Sequence, residues 1–260
     1  MTAKQNTLFV GSLAKGLKLL RAFDETTTEM SLGELAARTG LDRSATQRLA
    51  NTLHLEGMLD KDPMTRRFRP SHTWLQMAYA YFWSDPLVGL AMPRIIELSR
   101  RLGVTVNLAE LSGDHIIYVI RIPVLSSQFS ATLVGRRLPA LSTSAGRAML
   151  STLPEEERDR LIDSWPIRKY TPRTTLDREL IRAEIAEAVE KGHAATRDQM
   201  ILNEVGIAAP ITGPDGTAFA AVHCSVSSHH WSPGQIESEL VPYLVETAKA
   251  IAPQSRGGSR

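Results

Sequence analysis

Two groups of residues in this sequence carry side chains that could do chemistry. The first is Arg43-Ser44-Ala45-Thr46-Gln47-Arg48, with Arg66 and Arg67 shortly after it. Arginine can bond guanine, glutamine can bond adenine, and serine or threonine can bond a base or a phosphate. At the start of a helix such side chains reach base edges in a major groove. The second group is Ser142-Thr143-Ser144-Ala145-Gly146 and His223-Cys224-Ser225. Free N–H groups at a helix start can take a carboxylate, and Arg136, Arg137 and Arg147 add positive charge. Ordinary capping with solvated arginines explains that turn equally well. On a strand, His223 and Ser225 share a face and Cys224 points away. Taken alone, His223 reads first as a satisfied core histidine. His223, Cys224, His229 and His230 are zinc-ligand types, but adjacent strand residues face opposite sides and His229-His230 read as a turn, so no metal is expected. The enzyme alternative makes Cys224 a nucleophile beside His223, with His115 or His193 as base. No phosphate loop or nucleophile elbow accompanies it, and a buried small thiol is the simpler reading. No catalytic residue and no cofactor is expected.

The elements that must carry the first group are legible. Ser31-Leu32-Gly33-Glu34 has capping-box spacing, and Leu32, Leu35 and Ala36 give that helix one apolar face. Gly40 suits its left-handed end, and Asp42 is a natural N-cap for the next helix. There Arg43, Ser44, Thr46, Gln47 and Arg48 are expected outward. Ala45 opens an inner stripe with Leu49, Thr52 and Leu53, and is counted with the DNA-reading set for its position. Gly57 to Lys61, a turn at Pro63-Met64-Thr65 and a return over Arg66 to Pro70 read as a two-stranded wing. Its tip would offer Arg66 and Arg67 to phosphate or the minor groove. Before it, residues 1–8 read as a frayed arm. Ser12 reads as the cap of a helix with Leu13, Leu17 and Leu20 inward.

Residues 71–83 hold five of the fifteen aromatics, and only Gln76 is polar between Trp74 and Trp83. A helix apolar all round must be buried all round; a second copy of the chain is the expected cover. Asp85-Pro86 marks a boundary. Beyond it the pattern predicts a helix over Pro93 to Leu102 and a hairpin of Val104 to Leu111 with His115 to Ile122. Ser126 to Val134 could be strand or loop, and Gly135 to Pro139 reads as a basic turn. Helices follow from Ser142, from Pro154 and over 177–191, the last with Leu180, Ile181, Ile185, Ala188 and Val189 inward. Strands Ile207 to Thr212 and Thr217 to Val226 flank a turn, and Ser232-Pro233-Gly234-Gln235 is a capping box opening the last helix.

The chain has 260 residues, 43% of them hydrophobic, enough for about two packed domains. Its net charge is +2. Residues 1–84 hold 11 Lys and Arg against 8 Asp and Glu, and four positive charges crowd Lys61 to Arg69. A local patch of this kind is what a DNA footprint requires. One cysteine allows no internal disulfide, which suits a reducing compartment. There is no signal-peptide core and no apolar run of membrane length. A soluble, cytoplasmic protein is expected, with no membrane partner.

In order and spacing, SLAKGLKLLRAF, LGELAARTGLDRSATQRLANTLHLEGML, TVNLAEL, HIIYVIRI, GRRLPALSTSAGRAML, GIAAPI and AAVHCSVSSHHWS resemble the IclR family of bacterial transcriptional regulators. The resemblance runs from about Val10 to Ala252, and the opening is most similar to regulators of aromatic-acid breakdown. It implies an α+β chain. A winged helix-turn-helix over 1–70 joins through a linker helix, 71–84, to a GAF-like antiparallel-sheet effector-binding domain, 85–254, with 255–260 a disordered tail. It implies homodimers, often tetramers on DNA, reading a palindromic or pseudo-palindromic duplex under control of a small organic acid. The family's effector pocket maps onto Ser144, Ala145 and Gly146. Its acidic and cysteine positions are Thr196 and Gly206 here, with Asp198 nearby as a candidate for the acidic role, and its two late-strand serines are His223 and Ser225.

Overall fold

The structure is a computed structural model that describes residues 8–124 and 134–252. Contacts divide the chain into two units, one ending at Ser84 and one beginning at Asp85. The expected arm, most of the Ser126 to Val134 segment and the tail lie outside the described residues.

The first unit holds α1 (Gly11–Leu20), α2 (Leu32–Thr39), α3 (Arg43–Leu55), β1 (Leu59–Lys61), β2 (Phe68–Pro70) and α4 (Thr73–Ser84). Ser31 and Glu34 close the expected capping box, and Gly40 takes the left-handed conformation that ends α2. Asp42 caps α3 by accepting from the Ala45 amide at 2.7 Å. β1 and β2 pair antiparallel, and Met30 adds a bridge to Phe68. The core gathers Leu19, Met30, Leu35, Ala50, Leu59 and Phe68. Here α1 departs from expectation. Its cap position is Val10, not Ser12, and its buried face carries Gly16 and Leu19, while Leu13 and Leu17 are exposed. The face with Gly16 and Leu19 is the one that packs inward, and a Cβ on Gly16 would make ordinary contact with Leu49 Cδ2 on α3 at 3.9 Å. In α4 no residue is buried.

The second unit begins with α5 (Pro86–Leu102), longer than expected because Pro86 sits at its first turn behind the Asp85 cap and Pro93 is carried inside it. Then come β3 (Thr105–Ser112), β4 (His115–Ile122), β5 (Arg137–Pro139), α6 (Ser144–Leu150), α7 (Glu155–Ser164) and α8 (Arg178–Lys191). The chain closes with β6 (Ala194–Arg197), β7 (Glu204–Thr212), β8 (Ala218–Ser227), α9 (Pro233–Gln235) and α10 (Val241–Ile251). The strands form one antiparallel sheet in the order β5-β4-β3-β8-β7-β6. The basic turn read over Gly135 to Pro139 is half strand, because Arg137 to Pro139 pair with β4. β6 is too short to stand out in the sequence pattern. In α8, Ile181, Ile185 and Ala188 face inward, but Leu180 and Val189 are about half exposed, so the buried stripe is narrower than expected. The Ser232 capping box forms as expected. Pro242 lacks an amide, and the turn before it widens to a π-turn in which Val241 N–H reaches the Ile236 carbonyl.

Buried α6 is pressed onto the sheet by a close contact with the 3₁₀ turn Ala140–Ser142. A Cβ on Gly146 would stand 2.2 Å from the Ala140 carbonyl oxygen. Backbone on both sides cannot yield cheaply. Gly146→Ala should therefore destabilise the second unit by ~1–3 kcal/mol, the usual range for overpacking. A denaturant midpoint equal to wild type in urea titration would refute that contact.

Candidate functional site

On α3 the exposed positions are Arg43, Ser44, Gln47 and Arg48, with Asn51 and Thr52 continuing the same face. The expected pattern is corrected at two places. Thr46 is fully buried, its hydroxyl donating to the Asp42 carbonyl at 2.9 Å. Thr52 is exposed, and bonds the Arg48 carbonyl. The inner stripe is Thr46, Leu49, Ala50 and Leu53, one step round from the reading that began at Ala45, which is half-buried. Asn51, four residues after Gln47, could have been found from that spacing.

The wing turn is built on Asp62, whose carboxylate accepts from the Met64 and Thr65 amides at 2.8 and 2.7 Å. Those amide bonds, the Thr65 one first, hold the Asp62 carboxyl below the usual range. Arg66 is exposed at the tip in a left-handed conformation. Arg67 is a correction: its guanidinium lies 3.0 Å from Glu29 and 2.9 Å from Glu34. Its charge is already matched inside the unit, so it does not stand at the tip as a phosphate clamp.

The second unit contains a cavity of about 640 Å³, open solvent at its mouth included. Five of the expected effector residues line it: Ser144, Thr196, Gly206, His223 and Ser225. Sheet register explains the last four. Thr196 pairs with Gly206, Gly206 with Ser225, and His223 with Asn107, so these side chains share one face. The Oγ of Ser144 is buried with no hydrogen-bond partner among the described residues.

Three expected contacts are corrected. Ala145 packs in the hydrophobic core with Ala148 and Met149, and Gly146 is occupied by its contact with Ala140. Asp198 is buried and bonds Arg173 at 2.8 Å and the Asn203 amide at 2.6 Å. The Arg173 bond comes first in keeping its carboxyl below the usual range. Asp198 thus ties down a loop and leaves the cavity to its neighbours Gln199, Met200 and Ile201. The same loop is clasped by Thr174, whose hydroxyl donates to the Gln199 carbonyl at 2.8 Å. Of the arginines read as nearby charge, only Arg136 lines the cavity. Arg137 bonds the Ser112 carbonyl, and Arg147 is buried against Glu184 and the Leu141 carbonyl.

Sequence reasoning missed Tyr118, Arg121 and Glu204, which complete the polar lining. They lie on strands whose apolar alternation hid them; the signal was a charged residue inside each run, in HIIYVIRI and EVGIAAPI. Asn107, fully buried, bonds both Arg121 (3.0 Å) and His223 Nδ1 (2.9 Å). Tyr118 packs on the His223 ring at a centroid distance of 5.6 Å. Burial, then Arg121, pushes the His223 pKa down to about 3. Burial also raises Glu204, against the bond from Ser225 and the charges of Arg121 and Arg136. The cavity thus holds two guanidiniums, one carboxyl with raised proton affinity, hydroxyls, and an apolar edge of Leu138, Met200 and Ile201. That lining suits a small anion with an apolar body.

Cys224 lies on the opposite face of β8, fully buried, with burial raising its thiol pKa. The strand pleat turns its thiol away from His223. Among the described residues no helix is long and apolar enough to cross a membrane.

Comparison with known proteins agrees with this architecture. The model of the IclR helix-turn-helix domain matches residues 12–63. The model of the bacterial transcriptional regulator IclR C-terminal domain matches residues 80–253. The Pca regulon regulatory protein of Pseudomonas putida is 29% identical over 250 residues, covering 96% of this chain and 85% of that protein. In fold, the chain is similar to an IclR transcriptional regulator from Alicyclobacillus acidocaldarius (TM-score 0.82, 22% identity, 94% and 98% of the two chains). It is also similar to an IclR homolog from Microbacterium hydrocarbonoxydans solved with 4-hydroxybenzoate (TM-score 0.75, 22% identity, 93% and 97%). A helix-turn-helix with an exposed polar face, a curled antiparallel sheet with a polar cavity and these two matches lead to one conclusion: the chain belongs to the IclR family of bacterial transcriptional regulators.

Proposed function

We infer that this regulator is a one-component switch of the cytoplasm, in which a small organic acid bound in the second unit alters duplex DNA binding by the first. The observation that carries the sensing half is the cavity lining, in which Arg121 and Arg136 supply two guanidiniums and Glu204 the one carboxyl among the described residues. A buried anion needs such matching. The apolar edge and the 4-hydroxybenzoate of the Microbacterium neighbour favour an aromatic acid. Reading of DNA is assigned to Arg43, Ser44, Gln47 and Arg48 in the major groove, with Arg66 on the flanking backbone.

The operator is proposed as a palindromic or pseudo-palindromic site, because the protein acts as a homodimer and pairs of dimers can assemble on DNA. What supports the dimer is exposed apolar surface within the first unit. Phe9 just before α1, and Leu13 and Leu17 on it, are 51%, 62% and 43% exposed, and Leu75, Tyr79 and Trp83 on α4 are 72%, 65% and 76% exposed. Exposed apolar side chains repeated along a helix in this way suit an interaction site.

Three outcomes follow. Arg48→Ala should weaken binding to the fragment upstream of the protein's own gene by ~1–3 kcal/mol and leave binding to shuffled DNA nearly unchanged. Equal losses on both fragments in fluorescence anisotropy would reduce Arg48 to a phosphate contact. In the same assay Arg67→Ala should leave the salt slope of DNA binding unaltered, since its charge is spent on Glu29 and Glu34; a slope shallower by about one would return Arg67 to the phosphate set. In a thermal-shift screen of benzoates and hydroxybenzoates, an acid at ~100 times its dissociation constant should stabilise the full chain by ~2.7 kcal/mol. A shift that survives Arg121→Gln with Arg136→Gln would place the acid elsewhere.

A further inference from the structure

Three polar atoms from three elements converge on one point above Gly206. A carbon attached there would stand 3.0 Å from Ser144 Oγ, 3.1 Å from Thr196 Oγ1 and 3.2 Å from His223 Nε2. All four residues line the cavity. Glycine at 206 puts no side chain between these three groups, so they can meet around one ligand atom that stands in the cavity beyond contact distance from the Gly206 Cα. The hydroxyls can donate or accept, so the kind of atom that belongs there is decided by His223.

The proton of His223 is fixed from behind. A guanidinium only donates, so the Asn107 atom 3.0 Å from Arg121 is its oxygen. The Asn107 amide nitrogen therefore faces His223 Nδ1, at 2.9 Å. An amide NH₂ also only donates, so Nδ1 must accept and carry no proton. The neutral ring then holds its hydrogen on Nε2, the atom at the Gly206 point. A second proton would meet that NH₂, the nearby Arg121 charge and full burial. The register builds this relay: Asn107 on β3 pairs with Arg121 on β4 and with His223 on β8, which sets the three side chains in one row.

We propose that Arg121 and Asn107 are positioning residues that lock His223 as a neutral Nε2–H donor, making the point over Gly206 a subsite for an acceptor oxygen of the ligand, its carboxylate, and closing it to an amine. The proposal rests on the reading of this cavity as an organic-acid site, and it names the atom that selects the acid.

The test uses the full chain with ¹⁵N-labelled histidine, the His223 signals being assigned by their absence in His223→Gln. At neutral pH Nδ1 should resonate as an unprotonated nitrogen and Nε2 as a protonated one, and Asn107→Leu should give a mixture of tautomers. In calorimetry, benzoate and 4-hydroxybenzoate should bind and benzylamine should not. His223→Gln, whose side-chain NH₂ takes the place of Nε2–H, should keep affinity for the acid close to wild type. His223→Leu should lose about 10- to 100-fold, the worth of a bond to a charged group. An Nδ1–H ring or an imidazolium in the wild type overturns the proposal, and acid binding would then leave the organic-acid reading standing. An Nε2–H ring in a protein that binds neither acid overturns the organic-acid reading and the subsite with it. Equal losses in the Gln and Leu variants would also overturn the donor role.

Discussion

The second unit depends on the pleat of its two central strands. Along β3 and β8 alternate side chains must serve two different surroundings. Val222, Cys224 and Val226 are buried on one face of β8, while His223 and Ser225 are turned to the cavity on the other. On β3, Asn107 stands fully buried between Val106 and Leu108. A polar side chain in that position costs free energy unless it is bonded. Its two partners, one on each neighbouring strand, remove the cost and in doing so tie Arg121 and His223 into the cavity wall. A slip of one residue in this register would send all of these groups into the hydrocarbon face and bring Cys224 into the cavity.

The first unit obeys a different constraint. Its core is small, and its three helices meet around Leu19, Leu35 and Ala50. The Asp42 cap and buried Thr46 fix which face of α3 turns inward, and the opposite face remains for DNA. The wing is held by charges matched within the unit, Arg67 between Glu29 and Glu34, so its shape does not need DNA to form. The Ser31 bonds, first among several, also hold the Glu34 carboxyl below the usual range, so it stays charged for Arg67 across ordinary pH.

Much of this was legible in the sequence. Caps and breaks at Ser31, Gly40, Asp42, Asp85 and Ser232 are local chemistry, and local chemistry is written in short windows. His223 and Ser225 could be placed on one strand face by spacing alone. What could not be read were facts of partnership across long separations. Leu13 and Leu17 keep a helical spacing as the buried Gly16 and Leu19 do, and only packing within the unit chooses between the faces. Arg67 and Arg147 carry the same formal charge as Arg121 and Arg136. Which of them line the cavity and which is bonded to Glu184 is a property of strand order and helix placement. Gly146 was assigned to the pocket from its place in the motif, but the turn at Ala140 leaves no room there for anything except hydrogen.

The central claim is that one chain couples an acid in the second unit to a duplex on the first. Coupling of this kind is reciprocal: the factor by which the acid changes DNA affinity is the factor by which DNA changes acid affinity. The direct measurement takes the acid giving the largest thermal shift, and the fragment upstream of the protein's own gene. DNA affinity is measured by anisotropy with and without saturating acid, and acid affinity by calorimetry with and without saturating DNA, at one salt concentration. The account predicts equal factors, of roughly 5- to 150-fold. An acid that binds tightly in the cavity and leaves DNA affinity unchanged would contradict it.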